Sequence, residues 1–129
     1  MIFVDTDVFI YAVGRDHPLK AEARAIFEQA VHEPGTVLVT SAEVLQELLH
    51  VYLPVNRKET LHRALELVQG TIQEIWSIEP EDVMVAVDLS DAHPGLGARD
   101  LIHLACCQRR SVRELRSFDR ALNAAFATG

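Results

Sequence analysis

The feature that most limits the fold of this chain is an apolar run near its start that acid interrupts. Ile2-Phe3-Val4 gives way to Asp5-Thr6-Asp7, and Val8-Phe9-Ile10-Tyr11 resumes at once. A strand apolar at consecutive positions has no polar face, so it suits a parallel sheet covered by helices on both sides. In such sheets ligands sit outside the carboxyl ends of the strands. Asp5 stands at that edge. It also has a purely local explanation, because Asp and Thr are favoured N-caps and a helix is expected next. Other acids arriving at the same edge would separate the two explanations.

The remainder of the chain alternates in the same way. Val8 to Val13 reads as a short helix or turn ended by Gly14, and Asp16-His17-Pro18 as the start of a helix reaching about His32. Residues 36–40 are β-branched and apolar, a second strand. Ser41 is the expected N-cap of the next helix, with Glu43 in its first turn. Winding that helix at about 100° per residue places Glu47 at the border of the apolar stripe, beside Val44 and Val51, and turns Glu43 towards solvent. Asn56 with Glu59 resembles a capping box for a helix that Gly70 closes. A third strand is expected within Thr71 to Ile78 and a helix from Pro80 to Ala92, with Asp82, Asp88 and Asp91 as its solvated face. After the loop His93-Pro94-Gly95-Leu96-Gly97, Ala98-Arg99-Asp100 opens a helix to about Gln108. Val112 to Ser117 reads as the last strand, and Arg120 to Phe126 as the last helix. This order predicts an α/β fold with a mainly parallel sheet flanked by helices.

The chain's 129 residues fit one domain, 1–129, large enough to bury a core without disulfides. No run is apolar enough for a membrane helix, and Asp5 and Asp7 interrupt the start too early for an export leader, so the expected location is the cytoplasm. Cys106 and Cys107 are adjacent and cannot readily pair with each other, and the six histidines form no HExxH motif, which argues against a zinc hydrolase. Net charge is −7, from 12 Lys and Arg against 19 Asp and Glu. That argues against a protein that coats DNA. It leaves room for nucleic-acid chemistry, because divalent cations reverse the local sign of an acidic pocket.

Asp5, Asp100 and Asp119 each follow a strand or open a helix, and Glu47 lies two turns into the helix after the second strand. Four carboxylates at one sheet edge could not all ionise without cations between them. Hard oxygen ligands suit Mg²⁺ or Mn²⁺. Such a site fits phosphodiester hydrolysis by activated water.

Four segments together resemble a PIN-domain ribonuclease, specifically a VapC-type toxin of a toxin–antitoxin pair. They are Phe3-Val4-Asp5-Thr6-Asp7, Thr40-Ser41-Ala42-Glu43-Val44-Leu45-Gln46-Glu47-Leu48, Ala98-Arg99-Asp100-Leu101-Ile102-His103-Leu104-Ala105 and Ser117-Phe118-Asp119. The resemblance implies a three-layer α/β/α domain with a sheet of four to five strands, and a Mg²⁺- or Mn²⁺-dependent endoribonuclease. It implies an acidic quartet of Asp5, Glu47, Asp100 and Asp119, with Asp5 and Asp100 as main metal ligands and Glu47 and Asp119 completing the shell or orienting water. Thr6 and Ser117 match small hydroxyl positions that steady such a site. Asp7 departs from the asparagine often found there, and His103 is set aside as structural. The implied partners are an RNA substrate, a small VapB-like antitoxin that pushes arginine into the pocket, and a second copy of the chain in a homodimer or a toxin–antitoxin hetero-oligomer. Arg15, Lys20, Arg57, Lys58, Arg99, Arg109, Arg110 and Arg113 are the candidate phosphate contacts. Two rivals remain. One is a haloacid-dehalogenase-like phosphohydrolase with Asp5 as nucleophile and Asp7 as general acid. The other is a PIN-like module that binds without cutting.

Overall fold

The structure, a computed structural model, describes residues 1–128; Gly129, the last residue of the expected domain, lies outside them. Four strands and seven helices follow in the order β1 (Ile2–Val4), α1 (Thr6–Val13), α2 (Lys20–His32), β2 (Leu38–Ser41), α3 (Ala42–Tyr52), α4 (Lys58–Thr71), β3 (Glu74–Trp76), α5 (Pro80–Ala92), α6 (Ala98–Arg109), β4 (Glu114–Arg116) and α7 (Arg120–Thr128). The strands form one sheet in the order β3-β2-β1-β4, every pairing parallel. The α/β architecture expected from the alternation is the one observed. Every residue of β1 and β2 is buried: β1 is apolar throughout, and β2 ends in Thr40 and Ser41, the Thr40 hydroxyl donating to the Val4 carbonyl at 2.9 Å; the edge strands β3 and β4 expose part of their length.

The strand order has a consequence for function. The chain winds outward from β1 to β2 to β3, then returns to lay β4 on the other flank of β1. The connection from β1 runs to β2 on one side and the connection from β3 crosses to β4 on the other, so the order reverses beside β1 and a crevice opens at the carboxyl ends of β1 and β4, the usual ligand position in parallel sheets. Asp5 follows β1 there, and Ser117 to Asp119 follow β4. Phe3, fully buried, fixes the floor beneath: its ring lies 6.1 Å from Trp76 and 5.6 Å from His103. Helices α1 to α4 pack among themselves against the main core, while α5 and α6 share a smaller cluster around Ala86, Leu101 and Ala105.

Several local expectations need correction. Helix α2 begins at Lys20, after Pro18 instead of around it, with the loop closed by the Lys20 ammonium on the Gly14 carbonyl at 2.7 Å. The capping box at Asn56 does not form; Asn56 adopts the left-handed region (φ 56°) and α4 starts at Lys58 with Arg57 as its cap. Asparagine tolerates that conformation, and the tight turn out of α3 uses it. Gly70 does not end α4, which continues to Thr71, whose hydroxyl donates to the Leu67 carbonyl. The true capping box sits at α5, between Glu79 and Asp82. Asp82, expected on a solvated face, is completely buried.

Candidate active site

Asp5 is the point where the crevice becomes chemical. It caps α1, its Oδ1 accepting the Thr6 amide at 2.8 Å, and its Oδ2 accepts the Ser117 hydroxyl at 2.7 Å. The local cap and the shared edge are thus the same residue, and the β1–β4 pairing is what brings Ser117 to it. Ser117 Oγ in turn accepts the Asp119 amide at 3.0 Å, and Asp119 Oδ1 accepts the Leu122 amide at 2.9 Å, fixing the start of α7. Asp7, in the first turn of α1, accepts the Phe118 amide at 3.1 Å. The first turn of α1 and the segment after β4 are therefore laced together by carboxylates.

Glu47 reaches the same place from α3. Its Oε2 accepts the Thr6 hydroxyl at 3.1 Å and its Oε1 lies 2.6 Å from Nε2 of His103 on α6. His103 is 1% exposed and also stands 3.6 Å from Asp5 Oδ1. A carboxylate only accepts, so Nε2 is the donor; among the described residues Nδ1 has no partner. Thr6 and His103 thus pin both oxygens of Glu47. The structure brings Asp5, Thr6, Glu47 and Ser117 into one hydrogen-bonded group, with Asp119 joined through Ser117. Asp100, in the first turn of α6, faces the group electrostatically, and among the described residues its carboxylate accepts no hydrogen bond.

The electrostatics are those of buried carboxylates crowded together. Burial raises the Asp5 carboxyl above its ordinary range against the opposing pull of His103. Asp7 is pushed up to about 7, first by burial and then by Asp5, with Asp119 and Asp100 adding to it. Burial also raises Asp100, reinforced by Asp5 and Asp119. Glu47 goes the other way: burial would raise it, but the hydrogen bond and charge of His103 outweigh that and hold it below its usual value. His103 is its mirror image, raised above an ordinary imidazole because Glu47, Asp5 and Asp100 overcome the burial that would lower it. Among the described residues no three His, Cys, Asp or Glu side chains close into a cage around a single point. The acids share a field more than they share a coordination shell.

Two residues set aside in the sequence belong to this group. His103 was visible as a residue one turn after Asp100 on the same helical face; that spacing was the available signal. Glu43, expected to face solvent, is half-buried, raised by burial and by Glu47, and lies 3.7 Å from the Arg99 guanidinium at the rim.

The comparisons agree with the geometry. The family model described as "PIN domain" matches residues 2–126. The chain belongs to the PIN-domain family. It is 56% identical over 126 residues to Ribonuclease VapC23 of Mycobacterium tuberculosis, covering 98% of each chain, and so is a PIN ribonuclease of the VapC type. Its fold is similar to the crystal structure of Mycobacterium tuberculosis VapC20, described as a sarcin-ricin loop cleaving toxin, with a TM-score of 0.75, 18% identity, and 97% of this chain and 95% of that one covered. It is also similar to VapBC2 from Rickettsia felis, solved bound to a DNA fragment from the promoter (TM-score 0.69, 16% identity, 92% and 88% covered). The phosphohydrolase reading falls with the PIN match.

Within this PIN domain the candidate phosphate contacts sort themselves. Arg109 and Arg110 are bound to Asp82, each at 2.8 Å, with Glu79 within 3.5 Å of both and the Arg110 guanidinium 4.9 Å from the centre of the Trp76 ring. They tie α5 to α6 and are not spare. Arg113 precedes β4, at the opposite end of the sheet from the acids. Arg15, Lys20 and Arg57 lie instead around the turn that follows α1.

Proposed function

We propose that this chain is a Mg²⁺- or Mn²⁺-dependent endoribonuclease, the toxin of a VapBC-type pair. The observation that carries the reading is the gathering of Asp5, Asp7, Asp100 and Asp119 at the β1–β4 crevice, where burial and neighbouring carboxylates raise Asp5, Asp7 and Asp100. Among the described residues His103 is the one cationic group among the main influences on Asp5 and Asp100, and no Lys or Arg is among those on Asp5, Asp7 or Asp100, so a divalent cation is the natural counter-charge. The donor set is hard carboxylate oxygen, which fits Mg²⁺ or Mn²⁺. Asp5 and Asp100 are assigned as the main ligands, with Asp119 offering the oxygen its helix cap leaves over. Glu47 is pinned at both oxygens and, unlike Asp5, hydrogen-bonded to His103, which suits it to orienting water or substrate from a fixed place. Thr6 and Ser117 hold Glu47 and Asp5 in position. A bound divalent ion supplies Lewis-acid stabilisation of the phosphodiester and an activated water.

The acidic crevice also suits the arginine of a small VapB-like antitoxin, since an Arg–carboxylate fork is strong and geometrically exacting. That partner is supported by the VapC relatives and by a structural neighbour solved as a VapBC pair. Exposed Val83, Met84 and Val87 on α5 give an apolar surface consistent with a homodimer, alone or within a toxin–antitoxin hetero-oligomer. No helix among the described residues is long and apolar enough to cross a membrane, which is compatible with the proposed cytoplasmic location.

The test is cleavage of total cellular RNA by antitoxin-free protein with Mg²⁺ or Mn²⁺, with EDTA as control and Asp5→Asn and Asp100→Asn as variants. The expected result is metal-dependent cutting that falls by at least about 10³-fold in Asp5→Asn. Cutting that persists in both folded variants would place the chemistry elsewhere, and folded wild type that never cuts would leave a binding module.

A further inference from the structure

A negatively charged RNA must approach a crevice lined with carboxylates, so some nearby surface has to hold it. The turn after α1 offers one. Gly14 folds tightly against the last turn of α1, where a Cβ would come within 2.9 Å of the Ile10 carbonyl oxygen. That close approach carries Arg15 and His17 back alongside Tyr11, and the two rings lie 4.6 Å apart, centre to centre. With the α3–α4 turn they enclose a cavity of about 210 Å³ lined by Tyr11, Arg15, His17, Tyr52 and Arg57 among others. Arg15, His17 and Arg57 are exposed, and among the described residues neither arginine forms an ion pair. Asp16, in the same turn, is not among the lining residues.

The cavity is joined to the acids by contact. Tyr11 packs edge-on against Phe118 at 5.4 Å, and the Phe118 amide donates to Asp7. Tyr11 is six residues along α1 from the start of the site, an axial rise of about 9 Å. That is a short step along a single strand. Aromatic faces that stack a base, beside guanidinium groups that meet phosphate, are the usual means of holding single-stranded nucleic acid.

We propose that this cavity is the subsite for an RNA nucleotide flanking the cut bond, its base lying against Tyr11 and His17 and its phosphate meeting Arg15 and Arg57. The subsite rests on the ribonuclease reading and extends it to the path of the substrate. It accounts for how a chain of net charge −7 approaches RNA: Arg15 and Arg57 line a cavity that Tyr11 and Phe118 join to the acids, while Arg109 and Arg110 are engaged by Asp82.

The experiment measures binding of a short fluorescein-labelled single-stranded RNA of random sequence, by anisotropy, in EDTA so that nothing is cut. The wild type, Arg15→Gln/Arg57→Gln, His17→Ala, His17→Trp and Arg113→Gln are compared across salt concentrations, all changes being at exposed positions. The double arginine variant is expected to bind about tenfold more weakly at low salt, with the slope of log affinity against log salt reduced by about 1.4. His17→Ala is expected to lose about fivefold or more with little change of slope, His17→Trp to regain it, and Arg113→Gln to match wild type. Wild type that binds while the double variant keeps both its affinity and its salt slope overturns the subsite alone. An equal loss in Arg113→Gln overturns it too, by showing a general charge effect. Wild type that neither binds this probe nor cuts RNA fails the ribonuclease reading and the subsite with it.

Discussion

The two ends of α6 treat charge in opposite ways. At its C-terminal end, Arg109 and Arg110 close on the buried Asp82, which also accepts the Glu79 amide at 2.8 Å. Burial alone would raise that carboxyl, but the two guanidiniums and the amide hold it far below its ordinary range. At its N-terminal end, Asp100 and His103 face Asp5, Asp7 and Glu47, and three of the acids are pushed up, first by burial and then by neighbouring carboxylates. One end is neutralised within the protein; the other is left for something outside it. A charge set satisfied internally marks a structural joint, and one left unsatisfied in a crevice marks a place for a cation or a cationic side chain.

Removing the joint should therefore affect stability without touching chemistry. Asp82→Ala is expected to lower stability by about 2 to 3 kcal/mol, somewhat less than for a fully buried pair because both guanidiniums keep a face to solvent. In thermal unfolding that is roughly a 10 °C fall for a domain of this size. RNA cleavage at a temperature where the variant stays folded should be unchanged. The joint also has a sign with pH. A depressed acid stabilises the fold above the usual carboxylate range and loses that contribution as pH falls through it towards the lower folded value. The acid limb of the stability curve should accordingly be shallower in Asp82→Ala. Unchanged stability, or a loss of cleavage with stability intact, would break the division between the two ends.

A smaller effect should come from the residue that links α6 to Glu47. His103→Leu removes the donor that pins Glu47 Oε1, while His103→Gln can keep an N–H close to the Nε2 position. Loss of an outer partner of a metal-site carboxylate typically lowers activity or metal affinity about 10- to 100-fold. Metal-dependent cleavage should fall by that amount in the leucine variant and largely return in the glutamine variant. Titration of Mn²⁺ by calorimetry gives the second readout. Equal losses in both variants would mean that His103 contributes packing against Phe3 and not position.

The contrast also explains which parts could be read from the chain. Asp5 and Asp119 were legible because each combines a strand end with a helix cap, two signals that act within a few residues. Glu47 followed from winding one helix. The sheet's strand order, and with it the crevice between β1 and β4, carries no local signature; it depends on which flank of β1 the last strand joins. His103 and Glu47 are 56 residues apart, and their pairing exists only once α3 and α6 meet over Phe3. Asp82 was misread because Val83 to Val87 are all apolar, so α5 has no clear polar face and its buried side cannot be told from its exposed one. Asn56 failed for a different reason: the same residue type serves caps and left-handed turns, and the tertiary turn decided between them.

The smallest predicted effect tests the unsatisfied end directly. Asp7 has a folded pKa of about 7, well above an unfolded aspartate near 4. Between those values the native state binds more protons than the unfolded state, so stability of the metal-free protein must fall as pH rises through that window. Asp5 and Asp100 are raised as well and act in the same direction, His103 does so above the ordinary imidazole value, and Glu47 opposes them only below the ordinary glutamate value. Asp7→Asn keeps an oxygen for the Phe118 amide and removes one charge. Its stability in EDTA should match wild type near pH 4 and exceed it by about 1 kcal/mol at pH 8, allowing for solvent screening at a partly exposed group. Chemical denaturation at a series of pH values measures both curves. Identical slopes would mean that the Phe118 amide offsets the neighbouring charges, and the crevice would then be far closer to balance than the geometry of its acids implies. A flatter slope in Asp7→Asn that Mg²⁺ reproduces in wild type would identify the same repulsion as the force that draws a cation in.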